Sequence, residues 1–151
     1  MKKYIFSLLF MIFGALGVSA QMLNPVTWTY SAKKLNPTTY ELHITGTFQP
    51  GWHVYTIDHK ADIGVATSLN LQNNPLATPT GAIKVIGKPI TAKDPSTGEM
   101  VKFYENKVTL VQTVKLKAPV KTSIKGAVEF MACDDRQCLP PTEREFTIAL
   151  N

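Results

Sequence analysis

Two cysteines, Cys133 and Cys138, are the residues whose type and spacing point most directly to chemistry. Four residues separate them, and a hairpin-like turn over residues 134–137 would bring their Cα atoms within bridging distance. The N-terminal sequence predicts export into an oxidising compartment, where a pair of thiols persists as a disulfide. We therefore predict an intramolecular disulfide as the resting state of this pair.

The disulfide has two open interpretations, a structural crosslink and a redox-active pair. Closing a loop of about six residues restricts the unfolded chain by about 2 kcal/mol, against about 4 kcal/mol or more for a loop of about 100 residues. So short a crosslink adds little to a domain with its own core, which favours the redox role without establishing it. Asp134 and Asp135 disfavour a thiolate on Cys133, and Arg136 favours one on either sulfur. Cys138 is therefore predicted to exchange, with its partner cysteine as the resolving sulfur.

Metal, cofactor and nucleic-acid binding find no support in the residue pattern. The three histidines, His43, His53 and His59, do not lie at metal-ligand spacing from the cysteines, and we predict neither a metal nor another cofactor. A nucleic-acid footprint needs a concentrated basic patch, whereas the Lys and Arg residues are scattered. The composition, 44% hydrophobic and 18% charged, excludes a disordered chain.

The first 20 residues predict a signal peptide that is cleaved from the mature protein. Lys2 and Lys3 provide the positive start, residues 4–17 are apolar, and VSA at residues 18–20 is a small-residue cleavage site. An uncleaved anchor is the alternative, but a membrane span needs about 20 apolar residues. Cleavage lowers the Lys and Arg count from 16 to 14 against 11 acidic residues, so the net charge falls from +5 to +3. We expect a soluble, periplasmic or otherwise exported domain of residues 21–151.

Short runs with alternating apolar and polar residues dominate the mature chain and predict β-strands. No window outside the first segment shows the periodicity of a helix. Several strands that each bury one face must pair those faces, which predicts an all-β, two-sheet antiparallel sandwich, with a barrel as the alternative. The predicted strands cover residues 26–30, 40–48, 52–57, 67–71, 107–117, 123–133 and 143–150.

The longest segment without a strand pattern covers residues 87–100. Pro89, Pro95 and Gly98 disfavour the interior of a strand, so we predict a loop. A loop of this length in a compact domain is often functional, and a plain surface excursion is the alternative.

Three stretches together resemble the N-terminal periplasmic domain of the thiol:disulfide interchange protein DsbD. The first is CDDRQCLPP at residues 133–141, which follows a hydrophobic strand. The second is GWHVY at residues 51–55, and the third is FYENKVTL at residues 103–110. The cysteine motif with its double proline is the most specific of the three, and the resemblance extends over residues 26–150.

The resemblance implies an immunoglobulin-like sandwich with the cysteines at an exposed hairpin. Such domains take electrons from a membrane-embedded domain and pass them to thioredoxin-like partners by thiol–disulfide exchange. In that family the second cysteine forms the mixed disulfide, which is Cys138 here. A cap loop and a tyrosine shield the pair, and these roles fall to residues 93–100 and Tyr55, with Asp94 as an acidic cap residue. The implied protein is a monomeric oxidoreductase component.

Three departures from the family pattern accompany the resemblance. The cap phenylalanine is not evident in residues 94–100, where Met100 or Phe103 is the substitute. His53 stands where a tyrosine is common, and it joins the predicted residues that support the redox site. The sequence ends at Asn151 without a membrane domain, so the expected electron donor is a separate membrane-embedded thiol reductase. A non-enzymatic immunoglobulin-like binding module with a structural disulfide is the alternative function.

Overall fold

A computed structural model describes residues 23–60, 62–94 and 97–151, and the predicted signal peptide lies outside these residues. The described residues form eleven β-strands, and none of them belongs to a helix that could span a membrane. The strands are β1 (Val26–Asn36), β2 (Thr39–Phe48), β3 (His53–Tyr55), β4 (Ser68–Leu71), β5 (Ala77–Ile86), β6 (Ile90–Lys93), β7 (Met100–Glu105), β8 (Lys107–Leu116), β9 (Thr122–Phe130), β10 (Ala132–Cys133) and β11 (Thr142–Leu150).

Antiparallel pairing joins the strands into three sheets, ordered β1-β2-β8-β5, β10-β3-β7-β6 and β11-β9-β4. Buried side chains from all three sheets meet in one core cluster. The first sheet therefore forms one layer of a sandwich, and the other two together form the opposite layer. The predicted all-β, immunoglobulin-like antiparallel sandwich is confirmed.

The alternating pattern of β2 shows how the sequence builds this core. Tyr40, Leu42 and Ile44 are buried, while the residues between them are only partly covered. Leu42 and Ile44 are fully buried, and burial of such a side chain stabilises the fold by about 1.5–3 kcal/mol. The same period of two buries Val108 and Leu110 in β8, as the sequence predicts.

The chain changes sheets immediately before the first cysteine, which corrects the prediction of one strand over residues 123–133. β9 ends at Phe130 and pairs with β11 and β4, whereas β10 pairs with β3 in another sheet. Met131 connects them. Ala132 and Cys133 are both buried although they are adjacent, because protein covers both faces of the chain at this crossing. The sheet change thus places Cys133 opposite His53, the first residue of β3.

Part of the segment predicted as a loop over residues 87–100 is strand β6, which forms a hairpin with β7, and this is a second correction. β6 pairs with β7 in a register that aligns Ile90 with Phe103 and Lys93 with Met100. β6 lies at the edge of its sheet, so Pro89 can precede it without breaking a ladder of hydrogen bonds.

Three other strands differ from the prediction. β5 was not predicted at all, and the expected strand over residues 52–57 shortens to β3. The alternating pattern predicted β8 but not β7, and the two strands are separated by Asn106. Its φ of 63° lies in the left-handed region that asparagine tolerates better than most residues.

Candidate functional site

The structure contains the disulfide that the cysteine spacing predicts. Cys133 and Cys138 are joined by an S–S bond of 2.00 Å, with Cα atoms 4.0 Å apart. The backbone N–H of Asp134 donates to the carbonyl of Gln137 at 2.9 Å, and Leu139 N–H donates to the Ala132 carbonyl at 2.8 Å. The disulfide therefore closes a tight hairpin-like turn.

The side chain of Asp134 stabilises this turn through hydrogen bonds to the backbone. Its Oδ1 atom accepts the backbone N–H groups of Arg136 and Gln137, both at 2.8 Å. These two hydrogen bonds hold the pKa of the Asp134 carboxyl below its usual value, because they favour the charged form. The carboxylate is thus committed to the backbone of its own turn, which fixes the direction in which the turn presents Cys138.

The two sulfur-bearing residues differ sharply in exposure. Cys133 is 1% exposed, whereas Cys138 lies on the surface. The hydroxyl oxygen of Tyr55 lies 3.8 Å from Sγ of Cys133. A disulfide sulfur carries no hydrogen, so the tyrosine hydroxyl is the donor in this contact. An external thiol can reach Cys138, the residue predicted to exchange.

Tyr55 is itself fixed by a loop that the sequence did not single out. The His59 ring stacks on the Tyr55 ring with centroids 4.2 Å apart, and Gly64, at φ 84°, packs directly against the same ring. Thr67 Oγ1 donates to the Tyr55 carbonyl at 2.6 Å. Burial, and secondarily the charge of Asp94, raise the pKa of Tyr55. Tyr55 therefore stays protonated at neutral pH and remains a hydrogen-bond donor.

His53 lies in a row of three paired residues across neighbouring strands. Its direct partners are Cys133 on β10 and Glu105 on β7, so the three side chains share one face of the sheet. Phe103 covers this row, with its ring centroid 4.4 Å from that of His53. Burial lowers the pKa of His53 by penalising the imidazolium. Four carboxylates oppose this shift: Glu105, Asp135, Asp134 and Asp94.

The β6–β7 hairpin brings the predicted cap segment to the cysteines. Lys93 and Asp94 line a cleft of about 470 Å³ together with both cysteines, His53, Tyr55 and Phe103. Of the two proposed substitutes for a cap phenylalanine, Phe103 lines the cleft, whereas Met100 is 61% exposed. All five residues predicted for the site thus meet at one cleft. Across the described ranges, no three His, Cys, Asp or Glu side chains lie together in an arrangement that could hold a metal.

The lowered pKa of His53 predicts a stability that depends on pH. Because the folded-state pKa lies below the unfolded value of about 6.5, the unfolded chain binds more protons as the pH falls. This contribution is complete above pH 6.5 and is lost as the pH falls through the folded-state pKa. We expect urea unfolding between pH 7.5 and pH 5 to show a steeper loss of stability in the wild type than in His53→Gln. Parallel curves would contradict the assignment, and the difference at pH 7.5 corrects for altered packing.

Comparison with known families and structures gives a consistent assignment. A family model for the N-terminal domain of the thiol:disulfide interchange protein DsbD matches residues 19–150. The fold is similar to the N-terminal periplasmic domain of ScsB from Proteus mirabilis (TM-score 0.56, 15% identity), over 81% of this chain and 44% of that chain.

A second similar structure is the complex between the DsbD N-terminal and PilB N-terminal domains from Neisseria meningitidis. It gives a TM-score of 0.50 and 13% identity over 84% of this chain and 87% of that chain. At these identities the structural likeness shows the fold alone. The search of curated proteins gave no match. Because the family model covers nearly the whole chain, the chain belongs to the family of DsbD N-terminal domains.

Proposed function

We propose that this domain passes electrons from a membrane-embedded thiol reductase to thioredoxin-like exported proteins through the Cys133–Cys138 pair. The observation that carries the proposal is the asymmetry of the disulfide. One sulfur belongs to a buried residue beside the Tyr55 hydroxyl, and the other belongs to an exposed residue at the rim of a cleft. A structural crosslink needs no such cleft.

The asymmetry divides the exchange into defined steps. A thiolate of the donor attacks Sγ of Cys138, the S–S bond breaks, and Cys133 leaves with the electron pair as a thiolate. Tyr55 can donate a hydrogen bond to that leaving sulfur, which stabilises its charge. A second donor thiolate then attacks the donor sulfur of the mixed disulfide and releases Cys138 as a thiolate. The donor is oxidised to a disulfide, and the pair has gained two electrons.

The reduced pair then delivers its two electrons in the same manner. The Cys138 thiolate attacks the disulfide of an acceptor, and one acceptor sulfur leaves as a thiolate. Cys133 next attacks Cys138, which restores the intramolecular disulfide and releases the second acceptor thiolate. Cys138 therefore takes part in every mixed disulfide, and Cys133 resolves them.

The proposed partners and location follow from the family rather than from this chain's own contacts. The related DsbD N-terminal domain of Neisseria meningitidis forms a complex with a PilB N-terminal domain. By analogy, we propose that an acceptor domain docks over the cleft at the cysteine turn. Export with cleavage after residue 20, periplasmic location and a monomeric state are parts of the same proposal.

The reduction potential of the disulfide tests the proposal directly. Structural disulfides of exported proteins have potentials below about −300 mV, whereas exchanging ones lie above this value. We expect the Cys133–Cys138 pair of the folded domain to lie above about −300 mV when it is equilibrated with graded thiol–disulfide buffers. The same measurement in denaturant gives the reduction potential of the disulfide in the unfolded chain. A lower folded-state potential would reject the relay and favour a binding module with a structural disulfide.

A further inference from the structure

The resolving step of the exchange presents a chemical problem at Cys133. The nucleophile in thiol–disulfide exchange is a thiolate, and burial in apolar surroundings raises the pKa of a thiol. Cys133 is 1% exposed and belongs to a small cluster with Tyr55 and Val101. When this residue is reduced, its thiol must lose a proton before it can attack Cys138. The step therefore calls for a proton acceptor beside Cys133.

Most charged or titratable groups that line the cleft are poor acceptors at neutral pH. Lys93 and Arg136 carry their protons already. Tyr55 holds its proton because burial raises its pKa. The carboxylates are weak bases, because an efficient base has a pKa near the working pH. These carboxylates are Asp94 beside β6, Glu105 on β7, and Asp134 and Asp135 in the cysteine turn.

Apart from the two cysteines, His53 is the remaining titratable group among the described residues that line this cleft, and its position suits the task. It pairs directly with Cys133 in the β3–β10 register, so both side chains project from the same face. Glu105 pairs with it on the opposite side, and the Phe103 ring packs against the imidazole. Burial keeps the imidazole neutral near pH 7, which is the form that accepts a proton.

We propose that His53 accepts the proton of the Cys133 thiol as Cys133 attacks the mixed disulfide at Cys138. The proton moves from Cys133 Sγ to the imidazole, and the resulting thiolate attacks Cys138 Sγ. The bond between Cys138 and the partner sulfur breaks, and the partner leaves as a thiolate with the electron pair. The imidazolium then returns its proton to solvent. This inference rests on the proposed exchange function.

The nearby carboxylates define how the transfer responds to pH. Glu105 from β7, Asp134 and Asp135 from the turn, and Asp94 from the β6 side all favour the imidazolium. They stabilise the charge that His53 acquires during the step. Below the pKa of His53 the acceptor is already protonated, so the resolving step should slow as the pH falls through that value.

Stopped-flow kinetics with the chromogenic disulfide dithiobis(nitrobenzoate) separates the two chemical steps. The reduced domain should release one aryl thiolate when Cys138 attacks and a second when Cys133 resolves the mixed disulfide. We expect His53→Gln to slow the second phase about 10-fold or more at pH 7, while the first phase changes less than about twofold. The two proteins should approach each other as the pH rises, because a growing fraction of the Cys133 thiol then ionises unaided.

Matched variants identify what each outcome means. His43→Gln removes an imidazole from β2 in the other layer and should leave both phases unchanged. A second phase with the same rate and pH profile in His53→Gln would overturn the inference while leaving the exchange function intact. If the folded wild type releases no aryl thiolate, the proposed exchange function is rejected, and this inference is rejected with it.

A measurement on the wild type makes the test independent of how well His53→Gln folds. The inflection of the second phase with pH should coincide with the pKa of His53 in the reduced domain, measured by NMR titration of the imidazole. An inflection that departs from that pKa would reject His53 as the acceptor.

Discussion

Replacing Cys138 with serine is expected to abolish thiol–disulfide exchange, whereas replacing Cys133 is expected to stop it at a trapped intermediate. Cys138 is the exposed member of the pair, so its loss leaves a single thiol that is 1% exposed and out of reach of a partner. In Cys133→Ser, the remaining thiol can still attack a partner disulfide. The mixed disulfide then persists, because the resolving sulfur is absent.

Expression of both variants in the native host measures this asymmetry. Non-reducing electrophoresis followed by mass spectrometry should show Cys133→Ser joined to thioredoxin-like proteins, and Cys138→Ser free of partners. The double variant Cys133→Ser/Cys138→Ser controls for non-covalent association. Each variant loses the same short crosslink, worth about 2 kcal/mol, so a difference in trapped partners between the single variants does not come from loss of the disulfide itself.

Two other results would change the assignment. Partners trapped by Cys138→Ser but not by Cys133→Ser would exchange the roles of the two sulfurs. No trapped partner in either variant, with both proteins exported and folded, would reject the relay. The binding module with a structural disulfide predicts this second result.

The predictable part of the fold is the part with two-residue periodicity. β2 and β8 were predicted closely, because each buries one face against the core and leaves the other less covered. β5 was missed because Pro79 and Gly81 interrupt its pattern, and Gly81 lies where the register of this edge strand shifts between Thr80 and Lys84. Edge strands tolerate such residues, so the local pattern carries little information about them.

The sheet change before Cys133 was not predictable from alternation. Burial continues through Phe130, Ala132 and Cys133, so the pattern gives no sign that the hydrogen-bonding partners change. Only the packing of one sheet beside another decides where β9 ends and β10 begins. This long-range feature sets the position of the disulfide beside β3.

The chemistry of the candidate site was predicted from the sequence, but the residues that hold the site in place were not. The resemblance pointed to Tyr55, His53 and Asp94, and all three line the cleft with the cysteines. Glu105 and the loop residues that hold Tyr55 carried no local signal. They reach the site through strand pairing and through a loop that folds back, and neither is visible in the residues themselves.

Gly64→Ala is expected to destabilise the domain strongly and to disturb the redox site at the same time. A Cβ at this position would overlap the Tyr55 ring, with Cδ2 and Cζ at 2.6 Å. The φ of 84° adds the strain of a left-handed conformation, about 1–2 kcal/mol. Displacing a buried ring adds about 1–3 kcal/mol. We therefore expect a total loss of about 2–5 kcal/mol in urea unfolding.

Gly51→Ala provides a matched control for the backbone. Gly51 has a φ of 81°, but among the described residues nothing lies within 4 Å of a Cβ at this position. The control should therefore lose only the backbone strain, about 1–2 kcal/mol. The excess loss in Gly64→Ala measures the contact with Tyr55. Equal losses in the two variants would show that the tyrosine ring moves aside at no cost.

A double-mutant cycle with Tyr55→Ala separates the ring contact from everything else at Gly64. Without the ring, Gly64→Ala should cost no more than Gly51→Ala, and the coupling energy should equal the excess seen in the single variant. The redox site gives an independent signal. A displaced Tyr55 can no longer donate to Cys133 Sγ, so the Cys133 thiolate loses a stabilising hydrogen bond and becomes a poorer leaving group. Reduction of the disulfide should therefore slow in Gly64→Ala but not in Gly51→Ala. Equal reduction rates in the two variants would show that Tyr55 takes no part in this step.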